Sequence, residues 1–221
     1  MGSIDYEKLY RLQDEVLNYV FEKEQEFYLT GGTCLSRFYH PKRYSDDLDF
    51  FTNNSQRFAF AVKKIKLQLA EKFTLTPEIE AKDFVRFRID DILQVDFVND
   101  HVPHFKDLVI LENNYIIDNI ENILSNKLTA VLGRDNPKDI FDIYLISLYH
   151  SFHWEEILQS AGEKANIHLE ELIIRLKSFP VSLLKHIKLI DNTFLDDFQS
   201  NFPTIIDEIK KKQYHTALRE Y

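Results

Sequence analysis

Ser45-Asp46-Asp47-Leu48-Asp49-Phe50-Phe51 is the stretch on which the reading of the whole chain turns. Carboxylates alternate with apolar residues at the period of a β-strand, where side chains two apart share a face about 6.5–7 Å from each other. Asp47 and Asp49 therefore lie on one face, while Leu48 and Phe50 point into packing. Two neighbouring carboxylates repel unless a cation lies between them or one takes a proton. That pair suits Mg²⁺ (or Mn²⁺). Mg²⁺ accepts few carboxylates and completes its shell with water and substrate phosphates. A solvent-facing edge strand is the other reading of the same residues.

Upstream, Phe27-Tyr28-Leu29-Thr30 is a short strand candidate ended by Gly31-Gly32. Thr33 to Tyr39 then suit a short helix, stopped around Pro41. Glycines between a strand and a helix let backbone N–H groups approach a phosphate, and the helix start adds a favourable dipole. The same turn can be a plain chain reversal. Earlier still, Leu9, Leu12, Val16, Leu17, Val20 and Phe21 recur at helical spacing over residues 5–24.

Downstream, Thr52-Asn53-Asn54-Ser55 ends the acidic strand, and a helix is expected over about 56–72. Val85, Phe87 and Ile89 alternate with Phe84, Arg86 and Arg88, Asp90-Asp91 makes a turn, and Leu93–Val98 reads as a strand. Asp96, in the middle of that apolar strand, is unfavourable without a partner. If its strand lies beside the Asp47/Asp49 strand, three carboxylates converge. Asp96 could then bind a metal or accept a proton from an attacking hydroxyl. Arg86 or Arg88 satisfying a buried Asp96 is the alternative.

From about residue 118 the pattern turns helical: about 119–132, 137–149, 154–164 and 168–178, then shorter helices, with breaks at Phe179-Pro180 and Phe202-Pro203. Asn136-Pro137 fits a helix start with proline at its first position. The expected class is α+β, a small mixed sheet carrying helices over residues 4–118, followed by a helical domain over 119–221. On that second part, Lys127, Ala130 and Arg134 share a helical face, and Asp139 and Asp142 share a face of the next helix. The cations suit the charge of a triphosphate. A salt-bridge network between these helices is the alternative.

The 221 residues carry 27 basic and 36 acidic side chains, a net of −9, which disfavours non-specific coating of nucleic acid. One cysteine, Cys34, excludes an internal disulfide. With no secretory signal pattern and no apolar run long enough to span a membrane, the expected place is the cytoplasm. Cys34 reads as a small packing residue, although a helix start can lower a thiol's pKa. His101-x-x-His104 lacks a second ligand pair and reads as loop, and His150 and His153 read as polar surface residues at a helix end.

Gly31-Gly32, Asp47-x-Asp49 and Asp96 together resemble the DNA polymerase β-like nucleotidyltransferase superfamily, whose pattern is a glycine turn, Asp-x-Asp on a strand and a third acidic residue on a neighbouring strand. The wording Leu-Thr-Gly-Gly-Thr-Cys-Leu-Ser at 29–36, followed by Arg43-Tyr44-Ser45-Asp46-Asp47-Leu48-Asp49-Phe50, is closest to the AbiEii/AbiGii toxin family. A second match runs through Asn126-Lys127-Leu128-Thr129-Ala130, Arg134 and Lys138-Asp139-Ile140-Phe141-Asp142-Ile143. The resemblance spans residues 27–148. It implies a polymerase β-like core and a metal-dependent transfer of NMP from an NTP to an acceptor hydroxyl. Asp47, Asp49 and Asp96 would serve as metal ligands and, with Lys127 and Asp139, as catalytic residues. Gly31, Gly32, Thr33, Ser45, Arg134 and Asp142 would bind substrate. It further implies a toxin of a bacterial toxin–antitoxin or phage-defence pair, with RNA, a tRNA end, as acceptor and a cognate antitoxin as partner. A small-molecule or protein acceptor, and a non-catalytic interaction protein that keeps the fold, are the competing readings.

Overall fold

The acidic stretch builds a strand in the interior of a seven-stranded mixed sheet. The computed structural model describes residues 4–220. Its strands are β1 (Tyr28–Thr30), β2 (Asp47–Asn53), β3 (Leu75–Glu80), β4 (Phe84–Ile89), β5 (Leu93–Asp100), β6 (Val109–Ile110) and β7 (Ile116–Ile117), in the order β3-β4-β5-β2-β1-β7-β6. β2 runs antiparallel to β1 and parallel to β5. A solvent-facing edge strand, the other reading of these residues, does not describe β2, which lies between β5 and β1.

Alternation then sorts the two faces. Leu48, Phe50, Val95, Phe97, Phe87 and Ile89 are fully buried on one side. Phe97 stacks on Phe50 at 5.1 Å and on Phe87 at 6.0 Å, and meets Phe27 edge-on at 4.9 Å. Helices α1 (Tyr6–Lys23) and α3 (Phe58–Leu69) cover this face, with Phe21 against Phe50 and Phe58 against Phe27. The Asp5 side chain caps α1 by accepting from the Lys8 N–H. Between β1 and β2 lie the four-residue helix α2 (Gly31–Cys34) and a π-turn, Leu35–Tyr39. Cys34 is buried, and burial pushes its thiol pKa up, overriding any effect of a helix start.

The chain divides into two compact units. The first runs to Phe38 and adds Tyr44–His101 and Asp107–Asp118; the second comprises Tyr39–Arg43, Val102–Lys106 and the chain from Asn119 onward. Two short segments of the N-terminal stretch thus group with the helical unit, which a single cut at residue 118 does not anticipate.

The second unit holds α4 (Ile120–Gly133), α5 (Pro137–Tyr149), α6 (Trp154–Lys164), α7 (Leu169–Ser178) and α8 (Phe198–Lys211). Asn119 and Asn136 cap α4 and α5, and Pro137 opens α5. Trp154 lies in its core. Phe202-Pro203 does not break the chain as expected: Pro203 lies inside α8. The buried stripe Phe198, Phe202, Ile205, Ile206 and Ile209 continues through it, so packing outweighs one lost backbone hydrogen bond.

His150 is not the surface residue its position at a helix end implied. Its Nε2 lies 2.8 Å from Nε2 of His40, and His40 stacks on Tyr149 at 4.7 Å. Burial lowers both imidazole pKa values from 6.5 to about 4, with the His150 and Lys42 charges adding to the effect at His40. Both rings are neutral at pH 7. Because the folded values lie below the unfolded one, the unfolded chain binds more protons between about pH 6.5 and 4, and stability is lost as pH falls through that window. Urea midpoints should therefore drop between pH 7 and pH 5, and His150→Asn should flatten the drop. Midpoints that stay constant over that range contradict the pairing.

Candidate active site

The sheet register builds the site. Asp49 pairs with Asp96 across β2 and β5, Asp96 pairs with Arg86 across β4, and Asp49 pairs with Thr30 across β1. Paired residues on neighbouring strands point to the same face. Arg86, Asp96, Asp49 and Thr30 therefore form one row, and Arg88, Gln94 and Asp47 form the next. This polar face backs directly onto the aromatic core, since Leu48 and Phe50 alternate with the two aspartates.

Gly31 fits closely against that row. Its φ is +73°, a backbone conformation that disfavours any side chain, and a Cβ there would lie 2.5 Å from Asp49 Oδ2. The glycine turn and the acidic strand are thus one construction: the turn is glycine because the Asp49 carboxylate occupies the space a side chain needs. Thr33, buried, donates its hydroxyl to the Asp47 carbonyl and ties the turn to the same strand. Thr30 donates to Asp118, a buried carboxylate that the sequence did not single out. Ser45 is also buried. Its N–H donates to the Tyr10 hydroxyl at 3.2 Å, and its carbonyl accepts from Gln13 Nε2 at 3.0 Å. That places Ser45 as a support of the strand's entry.

Asp96 has the arginine partner that was the alternative reading. Arg86 Nε donates to Oδ1 at 2.7 Å and Nη2 to Oδ2 at 2.6 Å, and Gln94 Nε2 lies 3.4 Å from Oδ2. Arg88 turns instead to Glu78, at 2.6 Å. Among the described residues no three carboxylate, imidazole or thiol side chains are grouped as a metal cage. Asp47 and Asp49 still match what Mg²⁺ asks of a protein. They are hard oxygen donors from one or two carboxylates, with the remaining positions left to water and phosphate.

The second unit has its own charged centre. The Lys127 Nζ lies 3.0 Å from Asp139 and 2.6 Å from Asp142. Arg43 grips Asp142 with Nε at 2.7 Å and Nη2 at 2.8 Å, and Arg134 grips Asp139 with Nε at 2.7 Å and Nη2 at 2.9 Å. Burial alone would raise both carboxyl pKa values; the charges of Arg43 and Lys127 around Asp142, and of Lys127 and Arg134 around Asp139, outweigh it and hold both below the usual range. Burial likewise would lower the Lys127 pKa, but the two aspartates push it up. Lys127 is only 8% exposed. The salt-bridge network weighed against phosphate binding is therefore present. Arg43, quoted only as the start of the acidic motif, was the member given no partner, because it stands 99 residues from Asp142. His101 bonds Asn54 and His104 bonds the Lys106 carbonyl, as befits loop residues.

The Gly31 cradle predicts an asymmetry between glycines. Gly31→Ala should destabilise the fold by at least the cost of a left-handed residue, about 1–2 kcal/mol, and displace Asp49. Gly162, inside α6 with nothing within 4 Å of its absent Cβ, should instead gain stability as alanine, roughly 0.5–1 kcal/mol. Urea unfolding of the two variants checks this, and equal shifts would contradict it.

The chain matches the family described as "Nucleotidyl transferase AbiEii toxin, Type IV TA system" over residues 17–220. Among solved structures it is similar to JHP933 from Helicobacter pylori, with 20% identity, TM-score 0.57, and coverage of 96% of this chain and 94% of that one. It is also similar to MenT4, a nucleotidyltransferase toxin from Mycobacterium tuberculosis, with 16% identity, TM-score 0.52, and coverage of 71% of this chain and 63% of that one. At these identities the two structures speak for the fold. No curated protein matches the sequence. No helix among the described residues is long and apolar enough to cross a membrane. Because the family match runs through the glycine turn, the acidic strand and the helical unit alike, the chain belongs to the AbiEii family of nucleotidyltransferase toxins and is a nucleotidyltransferase.

Proposed function

We propose that this nucleotidyltransferase moves NMP from an NTP to a hydroxyl of RNA, a tRNA end, and acts as the toxin of a bacterial toxin–antitoxin or phage-defence pair held in check by a cognate antitoxin protein. The observation that carries the reading is the pair of carboxylates Asp47 and Asp49 on one sheet face, with Gly31 packed against Asp49. A phosphate chain has glycine backbone beside it there and carboxylates beneath it, an arrangement that needs a cation to be stable.

Asp47 and Asp49 would hold Mg²⁺ or Mn²⁺, which supplies positive charge to the triphosphate and to the leaving pyrophosphate. In the transfer, the acceptor oxygen forms a bond to the α-phosphorus, the α–β bridging P–O bond breaks, and pyrophosphate leaves with its electron pair. The hydroxyl proton goes to solvent. Asp96 accepts two hydrogen bonds from Arg86, so its part is to position charge next to Asp49. Gly31 and Gly32 admit the phosphates, and Thr33 holds the turn. Lys127 spends two of its three N–H donors on Asp139 and Asp142, and the role assigned to Lys127, Arg134, Asp139 and Asp142 is to orient one another within the helical unit. Catalysis of this kind is positioning and electrostatic stabilisation.

Labelled NTPs incubated with Mg²⁺ and separate pools of tRNA, protein and small molecules test the proposal. Label should pass to tRNA, and Asp49→Asn should lower the rate by about 100-fold or more, the scale of losing one charge-stabilising group, with the circular dichroism spectrum unchanged. Undiminished transfer by Asp49→Asn would overturn the site, and label in protein or small molecules alone would overturn the acceptor.

A further inference from the structure

We propose that Arg86 does on this face what a second divalent cation does in a two-metal site: its fixed charge is spent on Asp96, so that the chain binds one catalytic metal ion rather than two. The inference rests on the transfer reading above. Charge is the first argument. Asp47, Asp49 and Asp96 on one face sum to −3, Arg86 brings this to −2, and a single divalent ion balances it. Arg88 makes no further contribution because Glu78 takes it at 2.6 Å.

Geometry is the second. Arg86 binds both oxygens of Asp96 in the two-point fork that suits guanidinium to carboxylate, at 2.7 and 2.6 Å. Asp96 is 5% exposed, so its carboxylate has little access to anything except its partners. A metal ion that took Asp96 as ligand would share the carboxylate with the guanidinium and lie beside its positive charge. The Arg86 side chain is 31% exposed, and its guanidinium carbon lies over the Phe84 ring at 5.3 Å, so the ring helps hold the head that grips Asp96. Register makes the pairing specific, because Arg86 and Asp96 are direct cross-strand partners and Arg88 is two residues along, opposite Gln94. Arginine does not lose its proton at any working pH, so this charge stays in place where a second ion would exchange. Arg86 is in this sense a positioning residue for Asp49 and its ion.

The test is the count of bound Mn²⁺, read from the paramagnetic resonance of the free ion during titration of the full chain. The wild type should bind one Mn²⁺. Asp96→Asn should also bind one, because Asp96 is not a ligand. Arg86→Gln should bind two, since it frees a third carboxylate, and Arg86→Lys, which keeps the charge, should return to one. Two ions in the wild type with one lost in Asp96→Asn would overturn the inference and leave the transfer reading standing, as would a count of one in a folded Arg86→Gln. If Arg86→Gln does not fold, the wild type and Asp96→Asn decide between the two outcomes. A wild type that binds no ion, with or without NTP, overturns the transfer reading and this inference with it.

Discussion

Two like charges in register on adjacent strands are costly, and the first unit is organised around one such pair. The parallel ladder between β2 and β5 sets Asp49 opposite Asp96. Sequence alternation leaves neither of them another face to occupy, because Leu48, Phe50, Val95 and Phe97 fill the core side. The repulsion is answered from β4, by Arg86 on Asp96, and the Asp49 carboxylate is given room by the absence of a side chain at Gly31. A sheet whose apolar side is built of Phe50, Phe87 and Phe97 fixes this polar side indirectly: a slip of one residue would bury the carboxylates and expose the rings.

Charge is handled differently in the helical unit. There three cations, Arg43, Lys127 and Arg134, surround two buried carboxylates, and each carboxylate oxygen pair meets at least two donors. Burying these groups costs desolvation that is offset only when every member is satisfied. The helix caps at Asn119 and Asn136 and the nearly continuous burial of α5 from Asp139 to Leu148 act in the same direction.

Most of the sheet was legible because period-2 alternation over β2, β4 and β5 is a local property, and so were α4 to α7, whose caps and breaks are local too. What depended on distance was not. Whether Arg86 or Arg88 meets Asp96 is decided by register, which no single strand reveals. Arg43 reaches Asp142 across 99 positions, and His40 reaches His150 across 110. The edge strand β3 escaped notice because it has almost no buried side: residues 76–80 are exposed, and Pro77 with its register break keeps the edge from pairing onward. Asp-x-Asp and the glycine turn could be recognised as candidates from spacing, but that Gly31 and Asp49 exclude each other's substituents is a fact of three dimensions.

The pairing of β2 with β5 is the claim on which the site depends, and cross-strand nuclear Overhauser contacts in the perdeuterated, amide-protonated protein measure it directly. The account predicts amide contacts that join Leu48 with Val95 and Asp49 with Asp96, in a ladder continuing to Phe51 and Val98. Contacts displaced by one position, joining Asp49 with Val95 or Phe97, would put the aspartates on opposite faces and contradict it.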